Sequence, residues 1–379
     1  MGPLKGIHVI EMAGIGPAPF AGMALADMGA RVTLVERFTS RPQAAIPDCS
    51  RRGKHSLALD IKSDAGLDIL HKLIGTADVL LEGFRPGVME RLGAGPEVCL
   101  QNNPGLIYAR MTGWGQSGPL SQAAGHDINY ISLTGALAAI GRKDQKPTIP
   151  LNMIGDFGGG GMLVITGILA ALLERGNSGK GQIVDAAMTD GSAYLMSFLH
   201  SMTAQGHWQQ QRESNMLDGG APYYNTYETS DGKYISIGSI EPQFYELLKQ
   251  YAELDDSLFT NQNAVEHWPQ QTLELTRVFK TKTQSEWCDI MQGSDVCFAP
   301  ILNLEEAPSH PHNIDRQTYI DVAGMTQPAP APRFSRTPST VRFESQAVGR
   351  QTIDILKSAG VSDAEIEKLI DDRVVSSCE

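Results

Sequence analysis

The 379-residue sequence has no CxxC pair, no His/Cys cluster at zinc spacing, no P-loop and no G-x-S-x-G. The usual sequence grounds for structural or catalytic metal, phosphoryl transfer and serine hydrolysis are therefore missing. Excess positive charge is also lacking: 31 Lys and Arg stand against 43 Asp and Glu, a net charge of −12 with no basic tail. Such a chain repels nucleic acid and anionic lipid at long range, which excludes both as expected partners. The apolar run over residues 157–173 spans only 17 residues and has four glycines near its start, so a buried helix fits it better than a membrane span.

Cysteine is sparse. The five thiols (Cys49, Cys99, Cys288, Cys297, Cys378) are scattered and odd in number, which points to reduced cysteines in a cytoplasmic setting. Glu11 interrupts the N-terminal apolar stretch too early for a signal-peptide core, and the terminal Ser-Ser-Cys-Glu is not a peroxisomal address. A eukaryotic source would still leave peroxisome or mitochondrion open.

What is present suits a soluble globular chain of about two domains: 41% hydrophobic and 20% charged residues. The charge is uneven, with residues 1–110 at +1 and the remainder at −13, so an anionic small molecule would favour the N-terminal third. That third alternates short β-branched runs with amphipathic stretches, the pattern of a parallel sheet with crossover helices. Strands are expected at Ile7–Glu11, Arg31–Glu36, Lys54–Asp60, Val79–Phe84 and Leu106–Thr112, and helices at Pro17–Met28 and Asp64–Ile74, the latter capped by Ser63. Single helices over Ile128–Ile140, Gly158–Glu174 and Ser192–Thr203 follow, with a strand at Gln182–Ala187. An Asp231-Gly232 turn predicts a hairpin within Tyr223–Ile240 and a change of class to α+β. Residues 307–342, rich in Pro, read as an extended connector, and Ser362-x-x-Glu365 is a capping box that opens a last helix.

Four features carry chemistry. Gly14-x-Gly16 after the first strand, with Glu36 closing the second, invites a dinucleotide reading. Pro19 replaces the third glycine and Arg37 follows the acid, so a plain strand-to-helix turn is preferred. Arg37, Arg51, Arg52, Lys54, Lys62, Arg85 and Arg91 mostly fall near predicted strand ends, where open α/β sheets bind ligands, and together suit a nucleotide-like anion. Gly125-His126-Asp127 places a histidine at a helix start, suitable for acid/base work, although Asp127 as a cap explains half the motif. Gly155-Asp156-Phe157 precedes four glycines that cost about 1 kcal/mol each relative to Ala in a helix, so something bulky is expected against that backbone.

Long ungapped segments then become recognisable: residues 9–32, 77–93, 106–119, 124–135, 151–161, 179–188, 215–228 and 240–248 resemble the α-methylacyl-CoA racemases of the family III CoA-transferase superfamily. The likeness runs from the N-terminus to about Arg336. It implies an α/β fold in which a Rossmann-like large domain (1–200 and 330–379) and a smaller α+β domain (221–305) are joined by linkers (201–220 and 306–329). It also implies an obligate interlocked homodimer.

The activity implied is interconversion of R and S 2-methylacyl-CoA thioesters by 1,1-proton transfer through an enolate, in branched-chain fatty acid or sterol side-chain degradation. No separate cofactor or metal is implied, CoA being part of the substrate. By the resemblance, His126 and Asp156 are the two acid/base groups, Glu241 orients the imidazole, and Asn152 and Tyr224 stand behind them. The CoA portion falls to Ile15, Arg37, Ala58, Leu59, Asp60, Ile61, Lys62, Gly83, Arg85, Arg91 and Tyr130. The loop Gly125, Asp127, Ile128 and Asn129 lies at the reacting end, with the Asp127 N–H on the oxyanion. Met111, Met153, Met188 and Met216 are candidates for an apolar surface under the acyl chain. The rival within the superfamily is a CoA-transferase in which Asp156 is a nucleophile, and His126 is the residue that speaks against it. A non-catalytic acyl-CoA-binding protein is the third reading.

Overall fold

The computed structural model describes residues 2–38 and 45–378. These fall into two compact units: one comprises Met1–Thr134, Leu151–Leu195 and Gln317–Glu379, the other Gly135–Pro150 and Met196–Arg316.

The first unit is built on strands β1 (His8–Met12), β2 (Arg31–Arg37), β3 (Lys54–Leu59), β4 (Val79–Glu82), β5 (Ile107–Thr112) and β6 (Gln182–Ala187). In the second unit β7 (Tyr224–Glu228), β8 (Tyr234–Gly238) and β9 (Phe298–Ile301) form an antiparallel sheet. The chain then adds β10 (Tyr319–Val322), β11 (Met325–Pro328) and β12 (Val375–Ser376) to the first unit. The large sheet runs β12-β3-β2-β1-β4-β5-β6, parallel throughout except for β12.

The central strands are apolar on both faces because helices cover both. Alternate residues of one strand serve opposite layers. Val9, Val79, Leu81, Ile107 and Ala109 join a core with helices Pro17–Asp27 and Met162–Ser178. Ile10, Met12, Leu80 and Tyr108 join the core on the other side, with helix Asp64–Ile74 and the C-terminal residues Ile355, Leu356, Ile366 and Val375. Helix Asp64–Ile74 begins where Ser63 Oγ accepts the Gly66 N–H at 3.1 Å, and it turns Ile69, Leu70, Leu73 and Ile74 inward. The order of strands reverses between β1 and β4, so a crevice opens beyond their carboxyl ends.

Several expected elements differ. The helix over Ile128–Ile140 is two pieces, Asp127–Ser132 and Ala136–Ala139, because Gly135 takes φ +81° between them. The Gly158 helix starts earlier, as a π-helical segment Met153–Gly161 that feeds the α-helix Met162–Ser178. Ser192–Thr203 is likewise two helices, Met188–Leu195 and Ser197–Ala204. The anticipated linker 201–220 is in large part a folded loop of the second unit: Asn215 is buried and its side chain joins Asp218 (Nδ2 to Oδ2, 2.7 Å) and Gln209 (from the N–H, 2.6 Å). Residues 135–150 belong to that unit too, held by Arg142 to Glu213 at 2.8 Å. Within 307–342, the expected extended connector, lie a short helix Pro311–Asp315 and the β10–β11 hairpin. That hairpin turns through Ala323 and Gly324, both at positive φ.

The helical stretch Met153–Ser178 is long and apolar enough to cross a membrane by length and composition, with 39% of its most apolar window buried. It is less covered than the buried helix expected: Val164, Ile165, Ile168 and Ala171 face the core, while Met153, Met162 and Leu173 are more than half exposed.

Candidate active site

The loop after β1 turns through Gly16 at φ +71° and enters helix Pro17–Asp27. The carboxylate of Asp156 lies against this turn, since a Cβ on Gly16 would stand 3.3 Å from its Oδ2. Asp156 projects from the π-helical segment, a distortion that recurs at functional sites. The glycines around it have a packing cause. A Cβ on Gly159 would come within 2.6 Å of the Ser192 N, one on Gly191 within 1.9 Å of the Gly159 O, and one on Gly161 within 2.6 Å of the Phe20 ring. The bulky neighbour anticipated from the sequence is thus helix Met188–Leu195 together with Phe20.

His126 is exposed and extended at the start of helix Asp127–Ser132, and its N–H donates to Asn129 Oδ1 at 3.0 Å. The loop leading to it is clamped by Tyr130, whose hydroxyl donates to the Gly125 carbonyl and whose ring meets Trp114 edge-on at 4.8 Å. Gly113 and Gly125 make room for that ring, as a Cβ at either would fall 2.2 or 2.8 Å from it.

These groups enclose a cavity of about 460 Å³. Of the residues expected at the site, Ile15, Gly83, Arg85, Gly125, His126, Tyr130, Asn152 and Asp156 line it, as do Met111 and Met188. A second cavity of about 760 Å³ is lined by Arg37, Leu59, Asp60, Ile61, Lys62 and Arg91, and Phe84 lines both. The Gly83-Phe84-Arg85 loop is fixed by buried Glu82, which accepts the Phe84 N–H at 2.7 Å and Arg110 Nε at 3.0 Å.

Other expected residues lie elsewhere. Ala58 is buried within β3, and its N–H meets Thr352 Oγ1 at 3.2 Å, so it borders neither cavity. Asp127, Ile128 and Asn129 also line neither, and Asp127 turns its buried carboxylate to the main chain of Asp156. Glu241 and Tyr224 belong to the second unit, where Glu241 opens helix Pro242–Tyr251 and Tyr224 borders a cavity with Cys297. Met153 is exposed, and Met216 packs on the second unit's core.

The basic cluster divides by function of burial. Lys54 pairs with Glu11 at 2.6 Å, Arg52 with Asp27 at 2.6 Å and Arg51 with Glu36 at 2.7 Å, which takes these three cations out of the crevice. Glu36 also accepts from Ser56 Oγ, so it is not free for a ribose. Arg37, Lys62, Arg85 and Arg91 make no ion pair among the described residues and border the two cavities. No group of three potential metal ligands occurs among the described residues.

Electrostatics set Asp156 apart. Burial raises the Asp156 carboxyl above the usual carboxylate range and the nearby Asp127 adds to this, while the hydrogen bond from Asn152 (3.0 Å) and His126 oppose it. Tyr130 is raised as well, by burial and then by Asp156. A carboxyl that keeps its proton more readily, facing a histidine across one cavity, can exchange protons with a weak carbon acid.

The sequence matches CoA-transferase family III over residues 4–352. The chain belongs to this family. It is 47% identical to an alpha-methylacyl-CoA racemase of Mus musculus over 99% of this chain and 98% of that protein. A Homo sapiens protein of the same name is 46% identical, again over 99% and 98%. A solved CAIB/BAIF family protein from Brucella suis shares the fold at TM-score 0.79 and 24% identity, over 94% of this chain and 99% of that one. Sequence reasoning missed Trp114, Phe84 and Glu82; the one signal available was that Phe84 and the Gly113-Trp114 pair fall at predicted strand ends.

Proposed function

We propose that this family III protein interconverts the R and S forms of 2-methylacyl-CoA thioesters. The observation that carries the reading is that His126 and Asp156 open on one cavity while four cations border it and its neighbour. The full-length similarity to racemases supports the same conclusion.

A thioester α-proton is weakly acidic, so racemisation needs a base on one face, an acid on the other and stabilisation of the enolate oxygen between them. We assign His126 and Asp156 to the two faces. The Asp127 N–H in the first turn of its helix is assigned to the oxyanion, a contact worth about 3 kcal/mol in comparable sites. Arg37, Lys62, Arg85 and Arg91 are assigned to the phosphates of CoA, with Phe84 between the two ends of the substrate. Glu241 is assigned to orient the imidazole in a homodimer. Exposed apolar side chains, among them Leu151, Met153, Met162, Leu173 and Leu195, support burial by a second copy. The five unpaired cysteines support a cytoplasmic setting.

The test is NMR of one epimer of a 2-methylacyl-CoA in deuterated water with acetate present. Deuterium at the α-carbon with both epimers forming, and no CoA on acetate, is the expected result. CoA transfer without α-exchange would make Asp156 a nucleophile and overturn the racemase reading. A light-scattering mass of one chain would overturn the dimer.

A further inference from the structure

Asp127 opens helix Asp127–Ser132, where a first-turn carboxylate ordinarily meets water or the helix's own N–H groups. Here it is 5% exposed, and its Oδ2 crosses to the π-helical segment to accept the Asp156 N–H at 2.7 Å. Its Oδ1 is buried without a hydrogen-bond partner. The chain is shaped for this approach, because a Cβ on Gly155 would fall 2.6 Å from Asp127 Oδ2. A buried carboxylate with an unpaired oxygen is costly, and the start of a helix does not require one.

We propose that Asp127 is a positioning residue for Asp156: its carboxylate anchors the Asp156 main chain and places a second negative charge beside the reacting carboxyl. The proposal rests on the racemase reading. Two carboxylates that share a site cannot both ionise freely, so Asp127 adds to burial in helping Asp156 keep its proton above the ordinary carboxylate range. Matched proton affinities across the substrate are what a two-base exchange needs.

Among the charged groups that shift Asp156, Asp127 is the one that raises it. His126 and Asn152 oppose the shift, and Tyr130 and Arg85 line the same cavity. On the surrounding elements Asp27 is paired with Arg52, Arg110 with Glu82 and Glu90, and Arg175 with Asp78. Glu174, Asp185, Asp190 and Tyr194 are exposed.

The experiment is the pH profile of kcat/KM for epimerisation, in both directions, for the wild type, Asp127→Asn and Asp127→Ser, with thermal melts of each. Removing the charge moves the acid limb to lower pH and leaves the alkaline limb in place. At the pH where the wild type has fallen to a tenth of its plateau, D127N retains roughly threefold more of its own. The displacement is the same in both directions, since the equilibrium constant fixes their ratio. D127S shows the same limb with a lower plateau. A lowered plateau with both limbs in place overturns the proposal, as does failure of both variants to fold. A wild type that exchanges no α-proton overturns the racemase reading itself, whereas an unmoved limb in an active D127N overturns the positioning role alone.

Discussion

Lys54→Met isolates a charge. Glu11 on β1 and Lys54 on β3 are fully enclosed, with Nζ 2.6 Å from Oε2 and a further hydrogen bond of 2.8 Å to the Pro19 carbonyl. Burial pushes Glu11 up to about 7 even beside the ammonium. A methionine fills the space of the lysine stem but leaves the carboxylate without a counter-charge, at a cost of about 3–5 kcal/mol. For a unit of this size the first unfolding transition should fall by roughly 6–20 °C once the pH is well above 7 and Glu11 must ionise.

The sign with pH follows from the same group. Without Lys54 the folded-state pKa of Glu11 rises further above its unfolded value, so the stability of the variant is retained below about pH 4.5. It is lost as pH rises through the folded pKa, by up to about 1.4 kcal/mol per pH unit. Melts of wild type and variant should therefore run parallel between about pH 5 and 7, where folded Glu11 keeps its proton in both, and separate as pH rises above 7. The double substitution Glu11→Leu/Lys54→Met, which removes both charges, should recover most of the loss. A pH-independent loss below about 1 kcal/mol in the single variant would refute the reasoning.

Three further outcomes concern the site. His126→Ala should lower epimerisation and α-deuterium exchange by about 10²–10⁴ while CoA still binds, as read by calorimetry; retained exchange would remove His126 from the chemistry. Arg91→Ala should raise KM for the thioester about tenfold or more with little change in kcat, because a charge-assisted contact to phosphate is worth about 1.5–3 kcal/mol; an unchanged KM would move the phosphates elsewhere. Gly191→Ala, with its new carbon 1.9 Å from the Gly159 carbonyl, should cost about 1–3 kcal/mol in melts and depress kcat by displacing the segment that carries Asp156.

Much of the sheet unit was legible because local signals agreed. Helix Asp64–Ile74 has a serine cap and a clean apolar stripe, and it occupies the range the pattern predicts. The Asp231-Gly232 turn lies between β7 and β8, and Ser362 and Glu365 form their reciprocal cap. What escaped depends on partners distant in sequence. The role of Arg51, Arg52 and Lys54 turns on carboxylates contributed by other elements, so a basic count near strand ends overstated the anion site. The break at Gly135 and the π-helical turn around Asp156 are tertiary choices, set by a positive φ and by close approach of a second helix. Within the site, Asp127 read as a cap, yet its carboxylate serves a residue 29 positions away.

The sheet is also closed late in synthesis. Strand β3 ends at Leu59, but its outer neighbour β12 is Val375–Ser376, and the same C-terminal stretch supplies Ile355, Leu356, Ile366 and Val375 to the core over Leu57, Leu59 and Leu70. At ordinary elongation rates the ribosome needs roughly 15–60 s to travel between the two. For that interval the nascent chain carries a half-covered apolar surface and an unpaired strand edge, so the first unit cannot be made as a continuous fragment. Deleting Val375 and Ser376 would strike a strand translated more than three hundred residues earlier.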